Sequence, residues 1–225
     1  MMVGVYSFVF SAVLKVKWSQ SGLSMGTNQP YWLILLSGQF VFSLFADAIG
    51  KAPSLVVSVP NYVKKIIFPL ETLPIVSFLV VMANSIITFI VLLILSIYSN
   101  GYSWTLWFTP LVFIPMALWC IGLGWLLGSI GVFFRDLQQV IPLLVQLLMF
   151  GTPIFYPLDM VPENLRIWLN INPLTPLVIS LRDLMLWHRQ PDCQPLIFVT
   201  LGGIVFAIGS YYIFHRLRQS FADVI

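Results

Sequence analysis

Two charged dipeptides, Arg135-Asp136 and Arg182-Asp183, and one basic pair, Lys64-Lys65, stand out in a chain that is only 8% charged. Asp47 and Lys51 are four residues apart, which puts both on one helical face. That spacing suits a local ion pair at a membrane edge better than a proton relay. His188 and His215 are far apart and are expected in different loops on opposite sides. Cys120 lies in an apolar run and Cys193 in a polar loop, which reads as two free thiols. There is no GxxxxGK[ST] phosphate loop, no HExxH and no CxxC. Catalysis needs acids, bases or ligands that converge, and nothing here suggests convergence. The chain therefore reads as a non-enzyme that binds no metal or cofactor of its own. Apart from Asp47, the apolar stretches carry no acid, base or histidine, so an ion-coupled carrier lacks its coupling group. Energy for any transport has to come from a partner.

The elements that position these residues follow from hydropathy. The chain has 225 residues, 59% of them hydrophobic, and a mean hydropathy of +0.95. Soluble domains carry about 25% charged residues, so the bilayer is the main solvent for this chain. The net charge of +3 is scattered, which argues against a nucleic-acid groove. A spanning helix needs about 20 apolar residues. The pattern predicts an all-α membrane protein with six spans, at about residues 1–14, 31–50, 72–98, 105–134, 137–156 and 195–214. The first is short, about 21 Å at the helical rise, and fits a signal peptide poorly; it reads as a span whose beginning is missing. Residues 51–71 form an amphipathic connector punctuated by Pro53, Pro60 and Pro69. Asn100-Gly101 predicts a tight turn, and Trp104 and Trp107 suit the membrane interface. Gly122, Gly124, Gly128 and Gly131 allow kinks or close helix contact.

Residues 157–194 are predicted to form an outer cap between spans five and six. Leu174, Leu177, Val178, Leu181, Leu184 and Met185 make one helical stripe, too short and too charged to span alone. It should lie in the interface or re-enter shallowly, with Arg182 and Asp183 in polar surroundings; Arg166 and Trp168 belong to the same cap. Lys51, Lys64, Lys65, Arg135, Arg216 and Arg218 on one side nearly balance Lys15, Lys17, Arg166, Arg182 and Arg189 on the other, but four acids in the long cap (Asp159, Glu163, Asp183, Asp192) offset the latter, so the first side is expected in the cytoplasm. Both termini then face the cytoplasm.

Aromatic residues make up 15% of the chain. Tyr6 with Phe10, Phe42 with Phe45, and Phe150 with Phe155 and Tyr156 form three groups. They read either as packing and lipid-facing rings or as an aromatic-lined path, whose flat faces suit sugars.

Four segments carry a family resemblance over nearly the whole chain. They are YSFVFSAVLKVKW (Tyr6 to Trp18), NYVKKIIFPLETLP (Asn61 to Pro74), GVFFRDL (Gly131 to Leu137), and the group TPIFYP, PENLRIWLNINPLTPL and LRDLML between Thr152 and Leu186. In that order and spacing the chain resembles the ABC-2 family of polysaccharide-export permeases, which move O-antigen, capsular polysaccharide or teichoic acid. The resemblance implies a homodimer in the bacterial inner membrane, working with two ATP-binding cassette subunits that hold ATP and Mg. It implies export of a lipid-linked polysaccharide along a path lined by spans one, two and five. The connector becomes the coupling element, through Asn61, Tyr62, Val63, Lys64, Lys65, Ile66, Phe68 and Glu71. Lys64 and Lys65 can pair with acids on a partner, or merely fix topology; Val63, Ile66 and Phe68 can fill a groove. Arg135 and Asp136 fall near the cytoplasmic gate, or form a solvated turn. Tyr6, Phe10, Phe42, Phe45, Phe150, Phe155 and Tyr156 become path residues. Two departures stand against the pattern: Leu70 replaces a usual basic residue before Glu71, and the amphipathic helix that opens the family is not seen ahead of Met1. An ABC-2 exporter of drugs or lipids is the alternative within this class; a non-transporting membrane scaffold is the alternative outside it.

Overall fold

The computed structural model describes residues 30–60 and 69–221. Among these residues the secondary structure is helical throughout. Helix α1 spans Tyr31–Gly50 and is followed by a short 3-10 turn, Ala52–Ser54. Helix α2 spans Thr72–Asn100, and α3 spans Phe113–Phe133 after a 3-10 segment, Trp104–Val112. Helix α4 spans Leu137–Phe150, α5 Glu163–Ile171, α6 Leu174–Met185 and α7 Cys193–Leu217.

Four of these stretches are long and apolar enough to cross a membrane: Tyr31–Ser54, Thr72–Asn100, Trp104–Phe133 and Cys193–Ser220. The expected first span, 1–14, lies outside the described residues. The expected fifth, 137–156, is shorter than predicted: α4 stops at Phe150 after 14 residues. Gly151 and Pro153 follow it, and a residue preceding proline is pushed out of the helical region, so the chain turns from Gly151 onward. The fourth span begins as a 3-10 segment with Pro110 inside it, because proline removes an α-helical donor. The four long stretches differ in enclosure: 67% of the apolar window of α1 is buried, against 17% for α2. Helix α2 runs two residues past its predicted end and closes on Gly101, whose φ of +81° suits the left-handed residue after a helix. Gly101 N donates to Ile97 O at 2.8 Å there.

The chain divides into two compact units, and α1, α2, α4 and α7 each contribute residues to both. The first takes its described residues from 30–42, 87–112 and 149–196, which include α5 and α6. Here the whole predicted stripe of α6 is buried, from Leu174 to Met185. Thr105 Oγ1 donates to Leu184 O at 2.8 Å, and Ser96 Oγ donates to Met185 O. These hydroxyls satisfy carbonyls that the end of α6 leaves without helical partners. Asn172 fixes the other end: its Oδ1 accepts from Leu174 N at 3.0 Å, while its Nδ2 donates to Gly151 O and to Thr152 Oγ1.

The second unit takes its described residues from 43–60, 69–86, 113–148 and 197–221. Its packing depends on small residues. A methyl group added at Gly122 would fall 2.9 Å from the Phe206 ring and 3.1 Å from Ala207 Cα. One added at Gly203 would fall 3.1 Å from Leu118 and Trp119. Apolar lipid gives helices little hydrophobic drive to associate, so close backbone approach supplies the contact energy. Trp119 completes this interface, with its ring stacked on Phe206 and its Nε1 donating to Val199 O at 3.0 Å.

Candidate functional site

Both bases of the connector are fastened within the second unit. At its start, the 3-10 turn Ala52–Ser54 packs on α3. Gly128 and Gly131 make room for it: a methyl at Gly131 would overlap the Pro53 backbone, and one at Gly128 would touch Ala52 O at 3.5 Å. At the connector's end, a methyl at Gly124 would fall 2.8 Å from Pro74 Cβ. Positions 124, 128 and 131 share a helical face, so one face of α3 holds both bases.

An apolar cluster lies beneath them: Val56, Leu70, Val132, Phe214 and Phe221 are all buried. Leu70, which stands where the resemblance leads one to expect a basic residue, is 4% exposed and belongs to this cluster. It fills the core, and a cation there would be buried without compensation. The Phe214 and Phe221 rings meet edge to face at 5.5 Å.

Glu71 is the polar counterpart of this cluster. Its carboxylate Oε1 accepts from Arg218 Nη1 at 2.7 Å and from His215 Nδ1 at 3.2 Å. The Glu71 side chain is 12% exposed, while Arg218 and His215 reach water at 36% and 61%. Burial pushes the Glu71 carboxyl upward, but its own backbone N–H, Arg218 and His215 outweigh this and hold it below the ordinary value. Its main chain is fixed as well: Trp125 Nε1 donates to Glu71 O at 2.8 Å. Trp125 packs edge-on against Tyr211, which stacks on His215. His215 was expected in a loop but sits in the last turn of α7.

The other predicted residues distribute as follows. Asn61, Tyr62, Val63, Lys64, Lys65, Ile66 and Phe68, with Tyr6 and Phe10, lie outside the described residues. Arg135 and Asp136 form an exposed turn between α3 and α4. Asp47 and Lys51 are both exposed and form no ion pair among the described residues. A water-exposed pair gains too little to hold two side chains together. Phe42, Phe45 and Phe155 are buried, with their rings packed within the protein. Phe150 is 59% exposed, and the partly exposed Tyr156 donates its hydroxyl to Phe150 O at 2.8 Å. Arg166 Nε donates to Val161 O at 2.7 Å, and Trp168 is exposed.

Arg182 is 1% exposed. Its polar surroundings are the protein's own oxygen atoms. Nη1 donates to Pro153 O at 2.8 Å, Nη2 to Ile154 O at 2.9 Å and Ile34 O at 3.2 Å, and Nε to Ser37 Oγ at 3.4 Å. The guanidinium thus ties α6, α1 and the turn after α4 together within the first unit. Gly38 makes this possible, since a methyl there would fall 2.6 Å from Nη2. Beside it, Asp183 is raised to about 6, by burial first and then by the charge of Asp192, against the pull of Arg189 and Arg182.

His215, Arg218, Trp125, Ser37 and Gly38 were not singled out as site residues from sequence. Phe214, Arg218 and Phe221, spaced by four and three, offer the one periodic signal that could have found this face.

The family model for the ABC-2 type transporter matches residues 1–186. An O-antigen export system permease protein, RfbA, of Klebsiella pneumoniae is 25% identical over 98% of this chain and 82% of its own length. The protein of the same name from Myxococcus xanthus is 27% identical over 88% of this chain and 76% of its own length. With several helices apolar and long enough to cross a bilayer and most of its length matched, this multi-pass membrane chain belongs to the ABC-2 type transporter family.

Proposed function

We propose that the chain is the membrane-spanning permease subunit of an ATP-driven exporter of lipid-linked polysaccharide in the bacterial inner membrane. The observation that carries this reading is the similarity, across 98% of the chain, to a protein named as an O-antigen export permease. Two copies form the translocation path, and two separate ATP-binding subunits supply the energy through their own ATP and Mg. The complete arrangement has six spans, with residues 157–194 as a re-entrant outer cap and the chain acting as a single transmembrane domain. Asn61 to Phe68 contacts the ATP-binding subunit, with Lys64 and Lys65 pairing with its acids. Arg135 and Asp136 border the cytoplasmic gate. Phe150 and Tyr156, which keep exposed surface, are the aromatic groups best placed to meet sugar faces.

The test is genetic and biochemical. Deleting the gene should remove the surface polysaccharide, and the intact gene should restore it. The Lys64→Glu, Lys65→Glu double variant should lose both export and copurification with the ATP-binding subunit. Unchanged surface polymer after deletion sinks the substrate reading; normal complex formation in the double variant sinks the coupling assignment.

A further inference from the structure

We infer that Glu71 is an internal latch that fastens the exit of the connector to the end of the last helix, making His215 and Arg218 positioning residues for coupling. The inference rests on the reading of the connector as the element that receives the ATP-binding subunit's movement. Three observations converge on it. The carboxylate is shielded and already engaged by the Arg218 guanidinium and the His215 imidazole of its own chain, at 2.7 and 3.2 Å. Leu70, one residue earlier, is buried in one cluster with Phe214 and Phe221, which flank His215 and Arg218 in sequence. Thr72 Oγ1 donates to Pro69 O at 2.7 Å and Leu73 N to Leu70 O at 3.1 Å, so the backbone around Glu71 is a closed turn leading directly into α2.

A polar clamp and an apolar clamp thus act on the same short stretch. Displacement of the connector's exit has to pull on the Phe214–Phe221 segment, or break the ion pairs. Arg218 and His215 are partly in water and lose little when the contacts open, while the shielded carboxylate, left without partners, favours their closing again. A link of that kind suits a part that moves, and it gives the C-terminal segment a role beyond membrane anchoring.

The test uses the full chain with its copurifying ATP-binding subunit, in lipid nanodiscs. Glu71→Gln and Arg218→Gln should each keep the complex assembled but lower polymer exported per ATP hydrolysed by about threefold to tenfold. Arg218→Lys should keep most of the ratio. The exchange Glu71→Arg with Arg218→Glu should restore much of what Glu71→Arg alone removes. Thermal unfolding of the permease in detergent gives a readout independent of transport: the Glu71 and Arg218 substitutions should be non-additive. Additive effects overturn the latch. Loss of the ATP-binding subunit in Glu71→Gln that the exchange fails to restore also overturns it, because Glu71 is then a direct partner contact. A wild-type chain that binds no ATP-binding subunit sinks the transporter reading and the coupling role with it, while the unfolding cycle still decides whether the latch exists.

Discussion

Arg182 and Glu71 are both charges enclosed by an apolar chain, and they are accommodated in opposite ways. Arg182 is almost fully buried and donates to neutral oxygen atoms, three of them backbone carbonyls. Glu71 is met by the full opposite charge of Arg218 and by the His215 imidazole, both of them partly in water. Carbonyl dipoles held by the fold cannot leave without the fold changing, so the Arg182 arrangement is a fixture. Arg218 and His215 can trade Glu71 for water, so the Glu71 arrangement can open and reclose. Within the first unit Arg182 is thus held by fixed dipoles, and within the second Glu71 is held by contacts that can release it.

The largest effect should come from breaking the fixture. Arg182→Met should lower stability by about 3–5 kcal/mol, since it leaves the carbonyls of Pro153 and Ile154 buried without this donor. Thermal unfolding in detergent measures it, and a loss no larger than that of Glu71→Gln would erase the contrast. Arg182→Lys should be intermediate, because one ammonium cannot reproduce the planar fork. Gly38→Ala attacks the same point from the other side and should cost about 1–3 kcal/mol through overpacking. In the Arg182→Met background that cost should shrink, since the clashing Nη2 is gone.

The sequence and the structure agree on what periodicity and hydropathy can carry. The Tyr31–Gly50 helix and the buried stripe of α6 follow from apolar spacing, which reports a face directly. Periodicity cannot say what lies opposite that face. Arg182 was therefore expected only in polar surroundings: nothing in LRDLML shows that carbonyls from residues 34, 153 and 154 would supply them. Glu71 was legible as a family position, yet its partners are 144 and 147 residues further along the chain. Leu70 shows the same limit. It read as a departure from the family pattern, and its place in a buried cluster depends on residues 214 and 221, which no local pattern names. The end of α4 at Phe150 was carried by Gly151 and Pro153, but an apolar run through Tyr156 hid it from hydropathy alone.

The smallest and most discriminating difference should be in pH. Asp183 is raised to about 6, so the folded protein binds a proton there that the unfolded chain, with an ordinary carboxyl near 3.9, releases. Its ionised form therefore costs stability above about pH 6, and stability recovers as pH falls from about 6 toward 4. Asp183→Asn should be more stable than wild type at pH 7.5, by about 1 kcal/mol once solvent screening is allowed for, and the gap should close by about pH 4. Glu71 has the opposite sign. Its folded carboxyl lies below the ordinary value, so its contribution is complete above the unfolded value and disappears as pH falls through the folded one. Glu71→Gln should therefore be less stable than wild type near neutrality, with the deficit vanishing in acid. Unfolding of both variants across pH 4 to 8 reads the two signs in one experiment. If acid closes both gaps from the same side, the distinction between an uncompensated and a compensated carboxylate fails.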